Sequence, residues 1–153
     1  MVCQPDARGD IAVAIGREPS LVTKPTWSRS EHLLSCDYDY GAKTKMTLMV
    51  KELLSVHETN AYFDSFANRL GRQQTFGNGQ GAFGTRNGSV VIRKDYKVLL
   101  IDVRAPPAQF GNPPTSRESV AVNIATVITA CWSAHSCPQP PIRLLAGNCA
   151  SWQ

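Results

Sequence analysis

A chain of 153 residues has the length of one domain and can bury a sizeable core. Hydrophobic content of 42% and charged content of 18% fit a globular domain rather than a disordered segment. The net charge of +4 comes with no basic run longer than Arg93-Lys94, so no phosphate-tracking stripe exists and nucleic acid is not an expected partner.

No apolar stretch approaches the ~18 residues of a membrane span, so no transmembrane helix is expected. The first residues show no charged region followed by an apolar one, and no secretory signal is visible. Residues 1–9 are polar and read as loose. Asp10 is placed to cap a short helix, Ile11–Ile15, closed by Gly16 in the C′ role. Pro19 and Pro25 then mark an extended connection containing Trp27.

From His32 to Tyr40 the chain alternates, with Cys36, Tyr38 and Tyr40 on one side and Ser35, Asp37 and Asp39 on the other. Gly41-Ala42 makes a turn. Lys43–Leu53 alternates again, with Met46, Leu48 and Val50 inward. Two alternating runs about a glycine-containing turn predict a hairpin with one wet face. Ser55-Val56-His57-Glu58 is a capping box, and Tyr62, Phe63, Phe66, Ala67 and Leu70 follow at spacings of three and four. That is an amphipathic helix lying on a sheet, stopped by Gly71.

Residues 72–88 read as loop, rich in glycine. Within them Asn87-Gly88 is the strongest hairpin signal in the chain, joining a strand at Ala82–Arg86 to one at Ser89–Lys94. Asp95-Tyr96 turns the chain into Lys97–Val103, where apolar residues occupy both parities. A strand of that kind must be covered on both faces and is the expected centre of the sheet. Four prolines stiffen Ala105–Pro114. Thr115-Ser116-Arg117-Glu118 is a second capping box, opening a long final helix that runs to about Trp132. Its expected buried stripe is Val120, Ile124, Val127, Ile128 and Cys131. Residues 133–153 hold three prolines and no period and read as a tail beyond a single domain at 1–132.

The predicted architecture is an antiparallel α+β fold: a sheet of about five strands, hairpin plus three-strand meander, with helices packed on it and a long C-terminal helix.

Five cysteines, Cys3, Cys36, Cys131, Cys137 and Cys149, contain no C-x-x-C pair. The three histidines have no zinc-ligand spacing, so no metal or cofactor is expected. The cysteines are either buried thiols or pairs formed in an oxidising compartment. Cys36 shares a face with Tyr38, and Cys131 lies on the buried stripe of the last helix. If that helix packs on that face the two can bridge, closing a loop worth roughly 4–5 kcal/mol. Cys137 with Cys149 would staple the tail. Cys3 is then the odd one, free or lipid-bearing in a longer precursor; Val2 occupies a position where a lipoprotein signal carries a small residue.

Gly77-x-Gly79-x-Gly81 lacks the Lys-Ser/Thr pair of a phosphate loop, and a strand rather than a helix follows it. Asp102, set among apolar neighbours, is either a tuned acid or a strand-end residue paired with Arg104. His57, at the second helical position, has no recognisable nucleophile partner. Motifs of serine hydrolases, zinc proteases and paired catalytic carboxylates are missing. Tyr38, Tyr40, Tyr62, Phe63 and Phe66 either line a pocket or are core.

Taken together, the glycine-ended helix, Cys36-Asp37-Tyr38 at a strand start, Gly81-Ala82-Phe83, Asp95 to Val103, and Cys131-Trp132 closing the last helix resemble a known group. It comprises actinobacterial secreted proteins and lipoproteins of undefined function, similar in layout to the extracellular sensor domains of mycobacterial receptor kinases. The resemblance covers about residues 10–132. It implies an extracellular or cell-envelope location and disulfides, and transfers no catalytic residue. The expected function is therefore non-enzymatic binding of a small-molecule ligand or partner protein, with membrane association through a lipid anchor in the precursor as one route. The alternatives are a small enzyme using Asp102 or His57 as acid or base, and a structural module.

Overall fold

A computed structural model describes residues 2–132, apart from the side chain of Cys131. The chain runs as helix α1 (Pro5–Ile15), strands β1 (Leu21–Val22), β2 (Thr26–Ser28), β3 (Leu33–Asp39) and β4 (Lys45–Glu52), then helix α2 (Val56–Leu70). Strands β5 (Arg72–Phe76), β6 (Ala82–Thr85), β7 (Val90–Lys94) and β8 (Lys97–Asp102) follow, then the short ribbon β9 (Gln109–Phe110) with β10 (Thr115–Ser116), and helix α3 (Arg117–Trp132).

The fold is α+β with one large antiparallel sheet, but that sheet has eight strands rather than about five. Its order is β1-β3-β4-β8-β7-β6-β5, with β2 also pairing on the outer edge of β3. The additional strands lie at the margins. β5 reads Arg-Gln-Gln-Thr-Phe and is exposed along most of its length, so no apolar alternation marks it. Its register against β6 shifts between Arg72 and Gln74. β1 and β2 are two and three residues long. Backbone hydrogen bonds, which any sequence can make, hold such edges in place.

β8 occupies the middle of the sheet between β4 and β7. Val98, Leu99, Leu100 and Ile101 are all buried, as expected of a strand covered on both faces. Leu99 and Ile101 join the larger core beneath α1 and α3, with Tyr38, Met46, Leu48, Val50, Ile92 and Ile124. Val98 and Leu100 join a smaller core beneath α2, with Phe63, Phe66, Phe83 and Val91. Each such side chain contributes about 1.5–3 kcal/mol on full burial.

Two turns work as their residues predict: Gly88 takes φ 84° between β6 and β7, and Gly41 takes 77° between β3 and β4. The helices depart from the sequence reading in detail. α1 begins at Pro5, not Ile11, because proline at the first position needs no N–H partner. α2 is capped as expected: Ser55 Oγ accepts from the Glu58 N–H at 3.1 Å. The Glu58 carboxylate returns to the N–H of Leu54, one residue before the cap. At α3 the cap moves one residue on: Ser116 Oγ accepts from the Ser119 N–H at 3.1 Å, while Thr115 pairs in β10. The buried stripe of α3 comprises Val120, Ala121, Ile124, Ala125, Ile128 and Thr129, and Val127 is only half-buried.

The bridge of Cys36 is corrected. Its partner is Cys3, thirty-three residues earlier, with Cα atoms 5.9 Å apart, and not Cys131. α3 packs on β7, β8 and α1, so it lies away from β3. The N-terminal segment covers that strand instead: Val2 is buried, and its carbonyl accepts from Tyr38 Oη at 2.5 Å. Cys137, Cys149 and the whole segment 133–153 lie outside the described residues. A disulfide is compatible with an extracellular location. Among the described residues, no helix is long and apolar enough to cross a membrane.

Candidate functional site

Asp102 and His57, the two acid–base candidates, are not brought together. Asp102 ends β8, and α2 starts near the other end, where the Leu53 N–H meets the Tyr96 carbonyl at 2.8 Å. Five residues of strand, about 16 Å, separate those ends. His57 is exposed in the first turn of α2.

Asp102 is part of a polar row on the face that α2 leaves open. Thr47 stands opposite it on β4, and the Ser89 hydroxyl donates to its carboxylate at 3.3 Å. Arg104 closes on it with several hydrogen bonds, at 2.5 to 3.0 Å. Burial alone would raise this carboxyl, but the Arg104 guanidinium and backbone N–H, with Ser89, outweigh it and hold the group below its usual value. On β3, Asp37 accepts from Thr47 Oγ1 at 2.7 Å and pairs with Lys45 at 3.1 Å. Each carboxylate in the row thus has its own cation, and the row is complete without a ligand.

The opposite end of the same face is built differently. A pocket of about 410 Å³ opens between the first turn of α2 and the β7–β8 turn, lined by Val56, Thr59, Asn60, Gln80, Arg93, Asp95 and Tyr96. Its volume lies in the lower part of the usual range for small-ligand sites, ~300–1,000 Å³.

Arg93 points the same way as its cross-strand partner Val98, towards α2. Its guanidinium lies 5.5 Å from the centre of the Phe63 ring, donates to Asn60 Oδ1, and donates to the Gln80 carbonyl at 2.7 Å. Both acceptors are neutral. Its Nε is buried and has no acceptor among the described residues. A guanidinium carries more donors than these two acceptors fill.

The loop that supplies Gln80 is fixed by backbone pairing with Arg93: the Gln80 N–H meets the Arg93 carbonyl, and the Arg93 N–H meets the Gly81 carbonyl, each at 2.8 Å. The loop runs so close that a Cβ at Gly79 would stand 2.8 Å from the Arg93 oxygen, and Gly79 takes φ 60°. The glycine cluster therefore seats this loop on β7 rather than cradling a phosphate. Asp95 is held by a reciprocal pair with Gln80, side chain to side chain and side chain to backbone, both at 3.2 Å.

Sequence reasoning missed this pocket. Asn60, Gln80 and Arg93 are spread over 34 positions and meet only in the folded chain. One local signal was present. Asp95 and Tyr96 take φ 47° and 60°, a two-residue turn in which Asn-Gly is the easy solution and an aromatic residue is uncommon. The aromatic candidates divide: Tyr38, Tyr40, Phe63 and Phe66 are core, and Tyr62 is half-buried beside Phe66.

Among the described residues no cluster of three or more His, Cys, Asp or Glu is arranged to hold a metal ion. In comparisons with known proteins, no family model, no curated protein and no solved structure matches this chain.

Proposed function

We propose that this chain is a non-enzymatic binding domain of the cell envelope or extracellular space, and that the pocket between α2 and the β7–β8 turn is where it binds. The observation that carries the reading is the state of Arg93: a half-buried guanidinium lining a pocket, held by neutral oxygens and by no carboxylate of the described residues. A cation withdrawn from water without a counter-charge is costly, and such groups concentrate where a ligand completes them. The Cys3–Cys36 disulfide supports the compartment. The layout from Cys36-Asp37-Tyr38 to Trp132 supports placing the chain beside the actinobacterial secreted proteins and lipoproteins it resembles. The separation of Asp102 from His57, and the neutralisation of Asp102 by Arg104, favour binding over acid–base catalysis.

The test is a fragment library titrated into the nitrogen-15-labelled full chain and followed by its amide resonances. Binding fragments should cluster on Val56, Thr59, Asn60, Gln80, Arg93, Asp95 and Tyr96. Fragments that bind nowhere, or that collect on the open face of β3 and β4 instead, refute the assignment.

A further inference from the structure

We propose that the pocket takes a zwitterion of amino-acid size: a carboxylate and an ammonium a few bonds apart on a short apolar body. This rests on the pocket being a ligand site, and it names the chemistry of what enters.

Two opposite charges line the cavity and do not satisfy one another. Arg93 and Asp95 both face it, yet no ion pair joins them, and none joins either to another described residue. A ligand with one charge would answer one of these groups and meet the other as a like charge. A simple anion would face the Asp95 carboxylate, a simple cation the Arg93 guanidinium, and a polyphosphate would be repelled most strongly of all. A molecule carrying both charges answers both.

The two groups are also held in a fixed relation. Gln80 touches each of them, its carbonyl on the Arg93 guanidinium and its side chain on the Asp95 carboxylate and N–H. Charges fixed before binding need no reordering when the ligand arrives. The remaining walls suit a small apolar body: Val56 and Tyr96 line the cavity and are 61% and 52% exposed, so apolar surface at the mouth waits to be covered. A volume of about 410 Å³ admits a free amino acid with a branched side chain.

The experiment uses the nitrogen-15-labelled full chain and three probes: L-leucine, 4-methylpentanoate, which lacks the ammonium, and 3-methylbutylamine, which lacks the carboxylate. L-leucine should shift the amides of Asn60, Gln80, Arg93 and Asp95 and bind at least about tenfold more tightly than either analogue. Asp95→Asn should lower leucine affinity to that of 4-methylpentanoate. Arg93→Gln should lower it to that of the amine. Because Arg93 also anchors the loop and can compromise folding, Asp95→Asn, at an exposed position that tolerates asparagine, is the deciding variant. The proposal is overturned if 4-methylpentanoate binds as well as leucine, if Asp95→Asn leaves leucine binding intact, or if leucine leaves these amides unmoved. In that last case, library fragments still clustering in the pocket mean that the zwitterion is wrong and the site right; a silent library removes both.

Discussion

Replacing Cys3 by serine tests the corrected disulfide directly. The bridge joins residues 33 positions apart, and in the chain-entropy model a loop of that length restrains the unfolded chain by about 3.8 kcal/mol at room temperature. Cys3 is only partly buried, so serine leaves a smaller defect than the same change at the buried Cys36 would. With an unfolding entropy of ~2.1 cal/mol/K per residue over the ordered part of the chain, the loss corresponds to a fall of roughly 14 °C in Tm. It is a large part of the ~5–15 kcal/mol typical of a domain. The assay is urea unfolding of native and Cys3→Ser proteins without reductant, beside a tryptic map under the same conditions. The map should join the peptide of residues 1–8 to that of residues 30–43. A stability change below about 1 kcal/mol, or a link from Cys36 to the peptide that holds Cys131 and Cys137, refutes the pairing and the path of the N-terminal segment with it.

Further outcomes follow from single positions. Asp102 has a folded pKa below its ordinary value, so the stability it brings is present above the usual carboxylate range and lost as pH falls through the lowered value. Urea melts stepped down from pH 7 should therefore show a shallower acid limb for Asp102→Asn than for the native chain. Tyr38→Phe strips the Val2 carbonyl of its donor and should cost about 1–3 kcal/mol, whereas Tyr40→Phe removes a buried hydroxyl without a partner among the described residues and should cost nothing or stabilise. Burial pushes the Tyr38 phenol up to about 12, so its share of stability is intact below pH 10 and declines as pH rises through that value; absorbance at alkaline pH reports it. Gly9→Ala, in the open middle of α1, should stabilise by about 0.5–1 kcal/mol, while Gly16→Ala, whose Cβ would fall on the Asn112 carbonyl at φ 68°, should destabilise markedly in thermal melts. Tyr96→Gly should raise stability by about 1 kcal/mol, by relieving the left-handed turn, and weaken whatever the pocket binds; calorimetry and the fragment titration read the two effects separately.

What the residues disclosed in advance was local. The two-sided strand at β8, the β3–β4 hairpin, the Asn87-Gly88 turn and the Ser55–Glu58 cap each rest on a period or a turn chemistry contained in a few neighbouring positions. β5 was hidden because an edge strand held by backbone hydrogen bonds needs no apolar alternation, and Arg-Gln-Gln-Thr-Phe shows none. The partner of Cys36 was hidden because it depends on which element crosses β3, and the parity of a strand names the face without naming what covers it. Arg93 was hidden for a similar reason. Its place in the sequence is that of an ordinary strand residue, and only the approach of Asn60 and Gln80 makes it a lining group.

The two ends of the sheet on the α2 side handle charge in opposite ways, and the contrast bears on where function lies. At the Asp102 end two carboxylates have cations of their own: Asp37 with Lys45, Asp102 with Arg104. Such a row stabilises itself, and a ligand entering it would have to break pairs already made. At the Asp95 end a half-buried guanidinium rests on neutral oxygens, and Gln80 holds beside it an exposed carboxylate that pairs with no cation of the described residues. Withdrawing that guanidinium part-way from water without a counter-charge is unfavourable to the isolated fold. Two opposite charges that line one cavity and do not pair with each other mark the place where the fold can receive something else. That convergence, more than the size of the opening, is why binding is assigned to the α2 end rather than to the Asp102 row.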